Sequence, residues 1–408
     1  MMMKSTIQLG TSLFVSLFLA SCGSEKGGSS STREVTEVSA AEAVSGPVGS
    51  AEWPVFRGSP DLSGVSLEVL APPLTLAWTF NGKVTKAGEK PSNVVPAFLS
   101  TAVVADGLAF LGSDEGDFFA VDIATGKKKW AIELGDQVES TACTFDGKVF
   151  VGAIDESLYA LDAATGQVLW SYKTEGEILG GINFERGEPD LLVFGSYDNR
   201  VHCVDASTGE GKWAYETGNY INGTPTISNG KVFFGGCDSV LHMVDLQSGE
   251  RVGEIPIDSH VANSTPINNG VAYVAHYGEQ VAAIDTSTLK LLWTFEGKDA
   301  FFASSAVVGN KVIAGSRSQR LVCLNRETGD LIWEFKARDS IDSSHVVSGE
   351  TVYFGSDDGR MYAVSLEDGK ELWSYEIGEP ILASPAIADG MLIIGATDGM
   401  VYGFKEGG

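Results

Sequence analysis

Five cysteines and five histidines carry most of the nucleophilic, redox or metal chemistry open to this 408-residue chain. A zinc or iron centre needs such ligands at short, paired spacings. None is present: Cys143, Cys203, Cys237 and Cys323 stand far apart, no two cysteines are adjacent, and the histidines are scattered. Nucleophile-elbow, P-loop and zinc-protease motifs are missing too. No catalytic group, metal or cofactor is therefore expected. Carboxylates are the abundant charged group, 54 against 28 lysines and arginines, and the net charge is −26. That balance argues against nucleic acid, whose affinity rests on clustered Lys and Arg. It suits a basic partner or a cation. Which carboxylates act together depends on the elements that carry them.

Those elements repeat. The sequence Ala-x-Asp-x-x-Thr-Gly-x-x-x-Trp is clean at Ala120–Trp130 and Ala160–Trp170, and recurs with Cys for Ala at Cys203–Trp213 and Cys323–Trp333. Its tryptophans are Trp78, Trp130, Trp170, Trp213, Trp293, Trp333 and Trp373, with Gly253 in the slot of an eighth. They step by 52, 40 and 43 residues and then, counting Gly253, by 40 at every step. A fixed period in this range marks a repeat architecture. Each unit breaks at Asp-Gly, Asn-Gly or Thr-Gly pairs into four short runs rich in Val, Phe, Tyr and Leu, which read as strands. The spacing predicts an all-β, eight-bladed β-propeller of four-stranded antiparallel blades over residues 74–405. Its N-terminal strand, Leu74–Phe80, precedes any first strand, and the last third strand, Val401–Lys405, has no fourth. The two complete each other and close the ring, removing the exposed edges of an open sheet. Cys203 and Cys323 take the buried Ala slot, so they read as small core residues rather than disulfide partners.

Residues 1–22 read as a targeting segment: Lys4 supplies the positive end, and the apolar run Leu13–Ala20 is too short to span a bilayer. Leu19-Ala20-Ser21-Cys22 resembles a bacterial lipobox. That likeness implies cleavage before Cys22, acylation of its thiol, and contact with the membrane through the lipid anchor only. Gly23 and Ser24 imply outer-membrane retention. Residues 23–50 are a Ser/Gly/Glu-rich stretch expected to be a disordered tether, and 51–73 form a lead-in to the propeller. Nothing after residue 22 is long and apolar enough to cross a membrane as a helix.

On these residues the chain resembles the pyrroloquinoline-quinone (PQQ) repeat superfamily. The Ala-x5-Gly-x3-Trp core is similar to that family's docking motif, in which the seven tryptophans above would each lock a blade to its neighbour. Trp53-Pro54-Val55-Phe56-Arg57-Gly58 with Gly64-Val65-Ser66 looks like the lead-in of bacterial members. Gly253, which removes a docking Trp, and Leu289, which replaces the repeat's Gly, depart from the pattern. Repeat and lipobox together most resemble the propeller lipoproteins of the outer-membrane β-barrel assembly machinery. That resemblance implies a non-catalytic, lipid-anchored scaffold in the cell envelope, facing the periplasm from the outer membrane, a monomer within a larger assembly with a protein partner. The superfamily's quinoprotein dehydrogenases are the second class. They are similar in using adjacent cysteines, a stacking Trp near the axis, Ca²⁺ held by Glu, Asn and Asp, and long inserted loops. This sequence has no adjacent cysteines, its tryptophans are taken by the repeat apart from Trp53 outside the blades, and its blades carry almost no insertion. An envelope module binding a small ligand or polysaccharide is the third.

In a four-stranded meander, loops between second and third strands share a face with the blade-to-blade loops. The first set carries Glu115, Asp155, Asp198, Asp238, Asp358 and Asp398; the second carries Glu139, Glu177, Asp258, Asp299, Asp339, Asp342 and Glu379. Two readings compete: Asp capping its own turn, and an acidic docking face. Asn222, Asn263, Ser304, Ser343 and His345 are expected to point toward the axis. Phe301-Phe302 and Tyr220-Ile221 would serve as apolar anchors, and Arg186, Arg317 and Arg320 would interrupt the acidic face.

Overall fold

Runs of Val, Phe, Tyr and Leu punctuated by pairs such as Asp146-Gly147 fold each repeat into four antiparallel strands. The computed structural model describes residues 52–83 and 95–407; the targeting segment, Cys22 and the tether lie outside the described residues. Blade 2 shows the pattern with Cys143–Phe145, Lys148–Ala153, Ser157–Asp162 and Val168–Lys173, running from the channel outward. The innermost strand of each blade is short. The second and third strands are almost wholly buried, because neighbouring blades cover both faces, while the outermost alternates exposed and half-buried residues. The apolar core is accordingly split into slabs between adjacent blades, one of them joining Phe110 and Phe118 of blade 1 to Val149 and Leu161 of blade 2.

The ring closes as the chain ends require. Leu74–Asn81 pairs antiparallel with Met400–Glu406 and becomes the outer strand of blade 8. Each fourth strand carries a bulge against the third, and the residue skipped precedes the docking position: Ala77 before Trp78, Leu169 before Trp170. The bulge twists the strand and turns the indole toward the next blade. There the ring covers the repeat glycine. Gly166 has φ +75° and a Cβ on it would stand 2.7 Å from the Trp130 ring, so only glycine fits. Trp130 then donates its indole N–H across the junction to the Ala163 carbonyl at 2.9 Å and Trp293 to that of Arg326 at 2.8 Å, whereas the Trp170 N–H is buried without a partner.

At the blade 4–5 junction that lock is rebuilt from other parts. Gly253 stands where the indole would be, and a Cβ there would lie 2.8 Å from Leu289 Cδ1 and 3.0 Å from Met243 Cε. Met243 occupies the Ala slot of its own blade and Leu289 the Gly slot of the next, so two aliphatic side chains fill the space of one indole. The departures at 253 and 289 are halves of one exchange.

The lead-in is a belt around the channel. Trp53 exchanges backbone hydrogen bonds with Val104 of blade 1 at 2.9 and 2.8 Å. Thr144 of blade 2 donates to the Pro54 carbonyl; Ile227 of blade 4 and the Asn183 amide of blade 3 donate to that of Pro60. Ile267, Val307 and Val347 of blades 5, 6 and 7 donate to Asp61, Ser63 and Gly64. Val65–Ser66 then lies parallel to Val346–Ser348, and the Glu68 carboxylate receives Asp389 and Gly390 N–H of blade 8. All eight blades are stitched in turn, and inner-edge donors that would face an open channel are satisfied. Arg57 is the belt's fully buried pin: Nε donates to the Leu62 carbonyl at 3.0 Å and Nη2 to that of Ser305 at 2.8 Å. Burial lowers its pKa to about 9, the Asp61 carboxylate opposing, so it stays cationic at neutral pH.

Candidate functional site at the channel mouth

On the axis lies a cavity lined by Phe56 of the belt and by residues of all eight blades. Its mouth is ringed by the two loop sets named above, which hydrogen-bond to each other: Val138 to Ser113, Tyr197 to Glu177, Asp357 to Ser340. The cavity has a volume of about 190 Å³. Around it runs a belt of hydroxyls at equivalent positions of successive blades. Thr141 Oγ1 accepts the Thr101 N–H, Ser264 Oγ that of Thr224, Ser304 that of Ser264, and Ser344 that of Ser304, at 2.9 to 3.2 Å. Ser384 and Thr101 continue it, the latter receiving Ser384 N–H and closing the circle. Gly181 in blade 3 has no hydroxyl to offer, and a Cβ there would lie 2.5 Å from Thr224 Oγ1. These hydroxyls accept in the belt and have protons to spare. Asn222 and Asn263 add carbonyl oxygens that meet no donor.

The rim holds the charge. Arg317 grips Asp342 with three contacts of 2.7 to 3.2 Å and lies 3.4 Å over the Phe302 ring, against which Tyr277 stacks at 4.2 Å. Beside it Asp357 has a buried Oδ1 without a partner. Burial, then the carboxylates of Asp342 and Asp339, push its pKa up to about 7, Arg317 opposing. Elsewhere on the rim Glu139 is half-buried and likewise raised, by burial and then by Asp114 and Glu177. A carboxyl whose folded pKa exceeds its unfolded value binds its proton more tightly when folded. Its contribution is therefore fully present below about pH 4 and lost as pH rises through about 7. Asp357→Asn is expected to leave Tm at pH 4 unchanged and to raise stability at pH 8 by about 1 kcal/mol after discounting for solvent screening. Equal Tm values for both chains at pH 8 would contradict this.

The repeated hairpin aspartates serve their own blades. Asp358 accepts from Arg360 and Arg338 N–H and from the Tyr362 hydroxyl; Asp398 accepts from Met400 N–H and the Tyr402 hydroxyl. In blades 3 and 4 a histidine takes the tyrosine position. His202 and His242 stack on Phe194 and Phe234 and meet Asp198 and Asp238 at 2.9 Å. The sequence reading passed over these pairs, although Asp-x3-Tyr/His is visible in five repeats. A buried pair repeating the role of tyrosine is structural rather than catalytic.

Other expectations need correcting. His345 is no mouth residue. It is fully buried, with Nε2 2.7 Å from the Ile313 carbonyl and 3.2 Å from Ala306 N, and burial followed by the Arg57 charge lowers its pKa to about 3. Ser343 is buried against the Ala383 carbonyl, and Phe301 and Ile221 belong to the inter-blade core. Arg186 sits in the hairpin between the first and second strands of blade 3, paired with Asp146 and Asp190; that hairpin leaves on the opposite face. Asn222, Asn263 and Asp342 line the cavity, and Asp339 is exposed above it.

The fold is shared with BamB from Moraxella catarrhalis, at TM-score 0.68 and 17% identity, covering 81% of this chain and 99% of that one. It is shared equally with quinohemoprotein alcohol dehydrogenase from Comamonas testosteroni, at TM-score 0.71 and 16% identity, covering 87% and 80%. A computationally designed protein, Ika8, aligns at TM-score 0.68 and 18% identity over 76% and 97%. No curated protein matches the chain. The residues around the cavity do not fit a quinone with its cation: no tryptophan lines it, no adjacent cysteines exist, and no three His, Cys, Asp or Glu side chains converge as metal ligands among the described residues. A family model described as "Outer membrane protein assembly factor BamB" matches residues 75–189, 186–254, 238–340 and 317–407. Matched along every blade of the ring, the chain belongs to this family of PQQ-like β-propellers.

Proposed function

We propose that the protein is a non-catalytic scaffold of the cell envelope, anchored through Cys22 to the outer membrane, facing the periplasm, and engaged in assembling outer-membrane β-barrel proteins. The observation that carries the reading is the family match over residues 75–407. The acidic mouth supports a docking role. Asp258, Asp299, Asp339 and Glu379 on the blade-to-blade loops are exposed, whereas the hairpin aspartates are occupied locally. A basic surface on the partner would meet them with salt-sensitive attraction.

Crosslinking in intact envelopes followed by purification is expected to recover a large membrane protein bearing a β-barrel. Recovery without any barrel protein would defeat the scaffold reading. Cys22→Ser is expected to release the protein into the soluble envelope fraction, and unchanged membrane partition would refute the anchor. The dehydrogenase reading rests on fold likeness alone. Purified protein supplied with PQQ and Ca²⁺ is expected to reduce no artificial electron acceptor with simple alcohols or sugars.

A further inference from the structure

We propose that the axial cavity binds a neutral, polyhydroxylated small molecule of about monosaccharide size, independently of any protein partner. Three observations carry this. First, residues of all eight blades and Phe56 of the lead-in line one axial cavity, so a single occupant there touches the whole ring. Second, apart from Asp342, which Arg317 pairs, its polar groups are uncharged and of both kinds. The hydroxyl belt holds O–H donors, while Asn222 and Asn263 of the lining hold buried carbonyl oxygens without donors; Asn263 is only 6% exposed, its amide nitrogen already bonded to the Phe301 and Ala303 carbonyls. Buried acceptors left unmet are costly, and a ligand that supplies their donors recovers that cost. Third, Phe56, Leu99, Leu179 and Leu382 interrupt the polar lining with apolar surface.

A sugar or cyclic polyol matches this pattern. Each of its hydroxyls both donates and accepts, as the water it displaces does, and its C–H faces suit the apolar patches. At about 190 Å³ the cavity is smaller than the roughly 300–1,000 Å³ typical of larger ligands. Charged ligands fit worse. Asp342, the charged residue of the lining, is already neutralised by Arg317, so an ion entering the cavity would find no unpaired opposite charge there, and the acidic rim repels anions.

The test is a binding panel on the purified protein: glucose, galactose, N-acetylglucosamine and myo-inositol against glucuronate and glucosamine, by calorimetry and thermal shift. At saturation at least one neutral member is expected to raise Tm by roughly 3 °C or more, and the charged ones to leave it unchanged. Ala262→Trp fills the cavity without removing a hydrogen bond and should abolish binding. Asn222→Ala removes one unmet acceptor and should weaken binding about tenfold, with circular dichroism confirming that both variants fold. The proposal is overturned if no neutral compound binds, which leaves a water-filled channel only. It is equally overturned if the charged compounds bind better, or if binding survives in folded Ala262→Trp and Asn222→Ala proteins. None of these results bears on the crosslinking test of the scaffold reading.

Discussion

A chain without Leu74–Asn81 is expected to lose the closed ring and its cooperative melt. This strand holds seven registered pairs with Met400–Glu406, so its removal leaves the third strand of blade 8 as an open edge, able to pair with other chains. It also carries Trp78, which covers Gly126 of blade 1 and Gly403 of blade 8 and donates to the Ile123 carbonyl at 2.7 Å. Trp78 and Phe80 anchor an apolar cluster extending from blade 1 through blade 8 into blade 7. Trp78→Ala alone should cost about 3–5 kcal/mol, the range for a large buried aromatic. The deletion should produce aggregated or uncooperatively melting protein in calorimetry and size-exclusion chromatography. A chain starting at residue 51 is the control, because it keeps every contact described. A deletion that melts cooperatively within a few degrees of this control would refute closure by the N-terminal strand.

Closure was legible because it is a matter of counting: one unmatched fourth strand near Trp78 and one unmatched third strand near Val401, in a chain whose period is fixed. The lead-in was legible as a segment, but its role was not. Its bonds to the blades use mainly its backbone carbonyls, which every residue possesses, and its course around the axis has no period to read. Only Arg57-Gly58 and Gly64 mark it, since a Cβ at Gly64 would collide with the Arg57 guanidinium at 1.9 Å. The mouth was partly legible. Repeat phase put Asn222, Asn263 and Asp342 on the cavity, but it did not set their depth. His345 lies three positions beyond Asp342, just before the innermost strand Val346–Ser348, and is fully buried where Asp342 is only partly so. The hairpin aspartates serve their own turns, and the partners that mark this stand four residues downstream at Tyr159, His202, His242, Tyr362 and Tyr402. Asp357 was missed because its raised pKa depends first on burial and then on Asp342 and Asp339, which the fold brings to it from a neighbouring loop.

The exchange at the blade 4–5 junction predicts a strong non-additivity. Gly253→Trp alone should destabilise the protein by about 1–3 kcal/mol, because the indole would be driven into Leu289 and Met243 in a filled core. Leu289→Gly alone opens a cavity, although it removes a side chain from a backbone held at φ 57°, where glycine is favoured. Met243→Ala alone opens a second void. In the triple variant the three changes recreate what other junctions hold: an indole, a glycine beneath it and an alanine beside it. The introduced N–H would then face the Thr286 carbonyl, the same offset that joins Trp213 to Leu246 and Trp293 to Arg326. Stability of the triple variant should therefore exceed the sum of the three single effects by about 3 kcal/mol or more, at or beyond the upper end of coupling between contacting residues. Urea melts of the wild type, the single variants and the triple variant measure it. Additive effects, or a Gly253→Trp protein as stable as wild type, would mean that Leu289 and Met243 do not fill the site of the missing tryptophan.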